Sequence, residues 1–264
     1  MNYNGKNVWI TGASSGIGEA LSYEYASLGA NLILSSRDEK KLNAVASKCQ
    51  ELGAKTLIAI LDLEDGESIK KAAAKVLLVF PKINILINNG GISQRSLAIE
   101  TPLSIDRKIM ETNFFGAVTL TKEVLPSLVS NGGGNIVVIS SVVGKFGFPV
   151  RTAYSASKHA LQGFFEALRA ELYNENVRIT IVSPGRIYTN ISLNAINKNG
   201  ESYGLMDEGQ AKGMPADICA RKIVRAVHCN RKELWIGGKE VFLIYIRKYL
   251  PPLFHYLAHH VKPT

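Results

Sequence analysis

Short blocks of contiguous apolar residues alternate along the chain with longer stretches in which apolar residues recur every three or four positions. The blocks fall at residues 7–10, 31–35, 56–61, 83–88, 135–140, 177–182 and 233–236 and predict about seven strands. NLILSS, NILINN and NIVVIS are near-continuous apolar runs, as expected when helices cover both faces of a parallel sheet. The helical spacing fills 17–28, 38–52, 66–80, 103–130, 153–174 and 215–229. Strand and helix in alternation predict a doubly wound α/β fold, with ligands at the carboxyl ends of the strands.

No Pro/Ser-rich linker, repeat or low-complexity tract divides the 264 residues, and 46% hydrophobic content supports a sizeable core. One catalytic domain is predicted over 1–238, including a polar, glycine-containing substrate loop at 188–214, followed by an extension at 239–264. Cys49, Cys219 and Cys229 form an odd set without CxxC spacing, which suits reduced thiols of a cytoplasmic protein and neither a disulfide framework nor a zinc site. The polar start predicts no signal peptide, and no 18-residue apolar run predicts a transmembrane helix.

The first strand runs directly into TGASSGIG at 11–18, and a helical pattern follows through Ala20, Leu21, Tyr25 and Leu28. Strand, glycine turn and helix form the context of a Rossmann-type dinucleotide site. Gly12 allows the tight turn, Gly16 close approach to a pyrophosphate and Gly18 close helix packing, with the helix N-terminus towards the phosphates. The spacing is GxxxGxG rather than GxGxxG.

YSASK at 154–158 places Tyr154 and Lys158 four residues apart on one helical face, with Ser141 thirteen residues upstream at the end of a strand-like run. A nearby ammonium stabilises a phenolate and moves a tyrosine pKa from near 10 towards working pH. Such a tyrosine can give a proton to a carbonyl oxygen or take one from an alcohol.

TGASSGIG, NNGG at 88–91, Asn113, Ser141, YSASK and the PG at 184–185 together resemble the short-chain dehydrogenase/reductase family over residues 7–237. NGGISQRS at 89–96 and SASKHALQGFFEALRAEL at 155–172 are most similar to the group of dehydrogenase/reductase member seven and its bacterial relatives. The resemblance implies that Tyr154 is the general acid or base, that Lys158 lowers its pKa and binds the nicotinamide ribose, that Ser141 holds the substrate oxygen, and that Asn113 supports a water-linked proton relay. It assigns cofactor contacts to Gly12, Ser14, Ser15, Gly16, Ile17, Gly18, Arg37, Asp62, Leu63, Asn89, Gly90, Tyr154, Lys158, Pro184, Gly185, Ile187 and Thr189. Gly90 stands where the family usually has alanine.

By alignment with the family, Ser36 occupies the position of the acid that binds a ribose 2′-OH, and Arg37 follows it. A guanidinium there suits a 2′-phosphate, so NADP(H) is expected over NAD(H). Asp38 is expected to cap the helix that begins DEKKL. The implied reaction interconverts a hydrophobic carbonyl compound and its alcohol, with steroid, retinoid or other lipid-like substrates in range. Reduction of a 3-oxoacyl thioester on an acidic carrier protein uses the same residues, and a nucleotide-binding scaffold is the alternative outside enzymes. Leu193, Ile196, Tyr203, Leu205 and Met206 either give the substrate loop an apolar inner surface or anchor it.

Net charge is +9, from 31 Lys and Arg against 22 Asp and Glu, and residues 217–264 hold nine of the basic and three of the acidic ones. No nucleic-acid motif accompanies the charge. The tail VFLIYIRKYLPPLFHYLAHH either meets a membrane surface or packs over the pocket or a partner subunit. In the membrane case Phe242, Ile246, Tyr249, Leu250, Phe254 and Leu257 face lipid, and Arg247, Lys248 and Lys262 lie at headgroups. Pro251 and Pro252 interrupt any long helix there. His255, His259 and His260 are expected at the surface, with no metal site. The helices at 103–130 and 153–174 resemble those that pair in homodimers or homotetramers of the family.

Overall fold

The computed structural model describes residues 1–260. From the N-terminus the chain forms β1 (Asn7–Thr11), α1 (Gly16–Ser27), β2 (Asn31–Ser35), α2 (Glu39–Glu51), β3 (Thr56–Ile58), α3 (Gly66–Val79) and β4 (Ile85–Asn88). It continues through α4 (Leu103–Met110), α5 (Gly116–Ser130), β5 (Gly134–Ile139), α6 (Thr152–Glu171) and β6 (Val177–Pro184). The remainder comprises β7 (Ile187–Tyr188), α7 (Glu208–Ala211), β8 (Met214–Pro215), α8 (Ala216–His228), β9 (Glu233–Ile236), α9 (Phe242–Tyr249) and α10 (Pro251–His260).

Seven strands form one parallel sheet in the order β3-β2-β1-β4-β5-β6-β9. Successive residues point to opposite faces, so contiguous apolar runs fill two cores at once. Val8, Ile10, Leu32, Leu34, Ile85 and Ile87 meet α1, α2 and α8. Trp9, Ile33 and Leu86 meet α3, α5 and α6, where Phe165 is fully buried. Each buried Val, Leu or Ile contributes on the order of 1.5–3 kcal/mol relative to exposure. The strand order reverses between β1 and β4, so the crevice beyond their carboxyl ends is the expected ligand site.

The observed strands are shorter than expected at 56–61 and 83–88. Past Ile58 the chain still runs beside β2, with Ala59 N–H donating to Leu34 O at 3.0 Å, but the regular ladder has ended. The helical pattern at 103–130 is α4 and α5 joined by a π-helical turn, Glu111–Phe115, which carries Asn113. Periodicity cannot separate this arrangement from an uninterrupted helix. The loop after β6 is more regular than its polar composition predicts: β7 pairs with β8 as a separate two-stranded ribbon, and α7 lies between them.

The tail folds back over the strand ends. Ile244 of α9 and Phe254 of α10 are buried with Val142, Val143, Phe146 and Tyr154, and the Phe146 and Phe254 rings lie edge to face at 5.4 Å. Phe254 therefore points inward, which removes it from the set expected to face lipid, while Ile246 and Leu257 are partly covered. Phe242, Tyr249 and Leu250 are exposed, with Tyr245, Leu253 and Tyr256 beside them in sequence. Helix α9 stops at Tyr249 and α10 begins at Pro251, because proline is accommodated in the first turn of a helix and not in its interior. His255, His259 and His260 are exposed. Lys262 lies outside the described residues.

Candidate active site

The turn after β1 can only be built from glycine. Gly12 and Gly16 have φ of 63° and 60°, in the left-handed region. A β-carbon at Gly12 would come within 2.8 Å of Gly90 Cα, and one at Gly18 would collide with the Gly12 carbonyl oxygen. Thr11 Oγ1 accepts hydrogen bonds from Asn89 N and Gly90 N, both at 3.0 Å, while Asn89 Nδ2 donates to Thr11 O at 2.9 Å. The loops after β1 and β4 are thereby locked together. Ser15 precedes α1 without a side-chain cap, so the first-turn N–H groups are left for an anion. This cradle fits a dinucleotide pyrophosphate. At Gly90 the methyl of an alanine would press on Leu63 Cδ1, so Leu63 occupies space that the smaller residue leaves open.

A cavity of about 740 Å³ begins at the cradle and includes the end of β2. Arg37 is largely exposed, and its Nη1 lies 3.8 Å from Asp62 Oδ2, too loose and solvated to hold it. The Asp38 carboxylate accepts from Lys41 N at 3.0 Å and is engaged as the cap of α2. Lys41, absent from the sequence-based set, also lines the cavity. Lys41 Nζ pairs with Asp38 Oδ2 at 3.0 Å, so where the segment that aligns with the acidic position of NAD enzymes lines the cavity it presents the Arg37 guanidinium and a carboxylate already engaged by the cap and by Lys41.

Further in, the cavity reaches Ser141, Tyr154 and Lys158. Lys158 is buried, its Nζ donates to Ile139 O at 2.9 Å, and it lies 5.7 Å from the centre of the Tyr154 ring. Burial pushes the Lys158 ammonium down to about 8. Burial likewise raises Tyr154 above its ordinary value, opposed by the Ser141 hydroxyl and the charges of Arg95 and Arg151. Lys158 is not among the groups that shift the phenol in this geometry, and desolvation outweighs those that lower it. Ser141 Oγ lies 3.3 Å from both Pro184 O and Val143 N, donating to the first and accepting from the second.

Two side chains that the spacing did not single out hold this group. Gln94 is fully buried, and its Oε1 accepts from Ala153 N and Tyr154 N at 2.9 and 3.3 Å, capping the start of α6. Gln162 Nε2 donates to Ser140 Oγ and Ser183 Oγ at 3.0 and 3.1 Å, tying α6 to the ends of β5 and β6. Asn113 does not line the cavity. Its Oδ1 accepts from Ile92 N at 2.8 Å and its Nδ2 donates to Ile92 O and Ser157 Oγ at 2.9 and 3.0 Å, so the amide is fully engaged behind the loop after β4.

Pro184, Gly185, Ile187 and Thr189 line the cavity beyond β6, as do Asp62, Leu63, Asn89 and Gly90. Glu240, at the start of the tail, accepts from Arg186 N at 2.7 Å and Gly238 N at 3.0 Å and clamps the turn after Gly185. Gln210 Nε2 donates to Ile187 O and to Thr189 Oγ1.

The substrate loop differs from expectation. Of its five apolar candidates only Ile196 lines the cavity, and Leu205 is 62% exposed. Asn190, Asn194, Asp207 and Gln210 form a polar inner surface instead. Asp207 is buried and pairs with Arg95 and Arg151. The apolar wall is built elsewhere, from Val142, Val143, Phe146 and Phe148 after β5 and from Leu243 of the tail.

A dinucleotide cradle that opens onto a buried tyrosine and lysine and a half-buried serine defines an oxidoreductase that acts on CH–OH groups with NAD(P). The family model described as short chain dehydrogenase matches residues 6–200, and the chain belongs to that family. It is similar to dehydrogenase/reductase SDR family member 7B of Xenopus laevis, with 43% identity over 254 residues that cover 94% of this chain and 79% of the relative. Among solved structures it is similar to an alcohol dehydrogenase of the archaeon Thermococcus sibiricus complexed with 5-hydroxy-NADP. That match has 26% identity, a TM-score of 0.76 and coverage of 89% of this chain and 97% of the other. The fold also matches a short chain dehydrogenase/reductase of Burkholderia phymatum in complex with NAD, at 24% identity and a TM-score of 0.84, covering 100% and 98% of the two chains.

The buried ammonium has a consequence for stability. Below about pH 8 Lys158 is protonated in both folded and unfolded chains, so the cost of burying its charge is fully present. Between about 8 and its ordinary 10.5 only the unfolded chain keeps the proton, and the cost is relieved as pH rises. The stability of Lys158→Met relative to wild type is therefore expected to fall as pH increases through that window. Denaturant unfolding of both proteins from pH 7 to 10.5 measures it; a difference independent of pH would contradict the assignment.

Proposed function

We propose that the protein is an NADP(H)-dependent oxidoreductase that interconverts a hydrophobic carbonyl compound and its alcohol. The observation that carries this reading is one continuous cavity with the glycine cradle at one end and Ser141, Tyr154 and Lys158 beside an apolar wall at the other. When bound, the nicotinamide dinucleotide supplies or accepts the hydride. Tyr154 gives a proton to the carbonyl oxygen in reduction and takes it from the alcohol in oxidation. Burial keeps the resting phenol protonated, the state needed to donate. Ser141, turning its one hydroxyl proton away from Pro184 O, donates to the same oxygen and holds it against Tyr154. Lys158, fixed by Ile139 O, stabilises the phenolate that forms. Asn113 acts by holding the backbone at Ile92 and orienting Ser157, and through that loop supports the proton route.

Arg37, with Lys41 beside it, favours a 2′-phosphate, because Asp38, the acid of the segment that lines the cavity, is committed to capping α2 and to Lys41. The exposed aromatic side chains of α9 and α10, with Arg247 and Lys248, suit a peripheral membrane contact on a protein otherwise placed in the cytoplasm. Among the described residues no helix is long and apolar enough to cross a membrane. Helices α5 and α6 are the elements through which a homodimer or homotetramer would form, with Phe115 exposed at the start of α5.

Tyr154→Phe is expected to lower kcat for ketone reduction about 10²–10⁴-fold with NADPH affinity unchanged, measured by steady-state kinetics and fluorescence titration. Full turnover in the variant would overturn the mechanism. NADPH is expected to bind at least about tenfold more tightly than NADH, the order of one charge-assisted hydrogen bond, and Arg37→Gln is expected to reduce that margin; tighter NADH binding would reverse the cofactor assignment. In flotation with anionic vesicles, the triple variant Phe242→Ser, Tyr249→Ser, Leu250→Ser is expected to be lost from the lipid fraction, and equal recovery with wild type would remove the membrane contact.

A further inference from the structure

The cluster of Arg95, Arg151 and Asp207 lies on the cavity, and none of the roles above uses it. Arg95 comes from the loop after β4, Arg151 from the residue before α6, and Asp207 from the substrate loop. Arg95 Nε and Nη2 grip the Asp207 carboxylate, while its Nη1 donates to Ser93 Oγ at 2.9 Å and Gln94 O at 2.6 Å. Arg151 is different. Its side chain is only 12% exposed, yet of the five N–H donors an arginine carries one is used, from Nη2 to Asp207 Oδ2 at 3.0 Å. The other four have no protein acceptor among the described residues, and the guanidinium lies 5.4 Å from the centre of the Phe148 ring, on the apolar wall.

Charge points the same way as hydrogen bonding. Two guanidiniums share one carboxylate, which leaves a positive charge uncompensated at a nearly buried site, an arrangement that is costly unless something of opposite sign completes it. A monoanion from the substrate would bring the trio to neutrality and supply acceptors to Arg151 in a planar geometry suited to its fork. Arg151 stands three residues before Tyr154 at the start of α6, and both arginines line the same cavity as the phenol, so the anion and the reacting carbonyl would belong to one short stretch of the substrate. The apolar wall of Phe146, Phe148 and Leu243 accommodates the rest of the molecule.

We propose that Arg151, supported by Arg95, is the subsite for an anionic group on an amphiphilic ketone or alcohol, a carboxylate or a singly charged phosphate or phosphonate, and that Asp207 fastens the substrate loop around it. This deepens the carbonyl-reductase reading and rests on it for the identity of the reacting group.

Steady-state reduction of 3-oxodecanoate and 2-oxononylphosphonate, and of their neutral counterparts methyl 3-oxodecanoate and dimethyl 2-oxononylphosphonate, with NADPH, tests the subsite. Wild-type kcat/KM is expected to favour at least one acid over its neutral ester by tenfold or more, and which acid leads distinguishes carboxylate from phosphonate. Arg151→Met is expected to lower kcat/KM for the favoured acid at least tenfold more than for the ester, whose change reports the loss of the Arg151 charge beside Tyr154, and Arg151→Lys to restore part of the loss. Equal use of acid and ester by wild type, or an equal loss on both in Arg151→Met, would overturn the subsite. Should wild type reduce none of the four, the carbonyl-reductase reading fails by itself, and calorimetric titration of decanoate and octylphosphonate into the protein with NADPH decides the subsite. Binding of either by wild type and not by Arg151→Met supports it, and no binding to wild type overturns it.

Discussion

A parallel sheet covered by helices on both faces has nowhere to place polar chemistry except at the ends of its strands. In this chain the interior positions of β1, β2, β4 and β5 are apolar almost without exception, and the strand ends carry Thr11, Ser35, Asn88 and Ser140. The change from apolar to polar within a single residue is what forms the cavity. Each functional group is supplied by the first few residues after a strand, or by the helix that follows, so the geometry of the site is inherited from the register of the sheet. The switch between β1 and β4 then opens the crevice where the two halves diverge, and Thr11, Asn89 and Gly90 keep that crevice at a fixed width through hydrogen bonds.

What could be read from the sequence was local. The glycines at 12, 16 and 18 lie within seven residues, and their spacing states their purpose because no side chain fits there. Tyr154 and Lys158 are legible for the same reason, since one helical turn separates them. Asp38 capping α2 is a matter of three residues. The residues that support these groups come from far along the chain: Gln94 reaches the start of α6 some 59 residues on, and Arg95 meets Asp207 across 112. No periodicity connects such pairs. The inward turn of Phe254 was hidden similarly, because its partner Phe146 belongs to a loop whose path depends on the whole sheet. The polar inner surface of the substrate loop could not be inferred from composition, which counts apolar residues without saying which way they point.

The electrostatics of the site are asymmetric. Lys158, Arg95 and Arg151 are buried or nearly so, and Asp207 is the one carboxylate paired with them. Lys158 carries its charge against a single carbonyl oxygen, at a cost seen in the depression of its pKa. Tyr154 is held neutral by the same desolvation. In the proposed reaction a neutral phenol beside buried cations would release its proton as negative charge develops next to it, because the environment penalises the isolated phenolate and rewards the ion paired with a positive neighbour.

The π-helical turn at Glu111–Phe115 gives the joined helices a change of phase. Before it, Ile109 faces Ala153 and Ile196 on the side of the substrate loop; after it, Ala117, Leu120, Val124 and Leu128 face the sheet. A turn with one residue more than the α-helical repeat shifts the phase of the second stripe relative to the first, so that one faces the substrate loop and the other the sheet. The same surplus residue widens the backbone where Asn113 must reach sideways to Ile92. The irregularity is thus a phase correction between two packing surfaces, and the amide that braces the cofactor loop occupies the place where the correction is made.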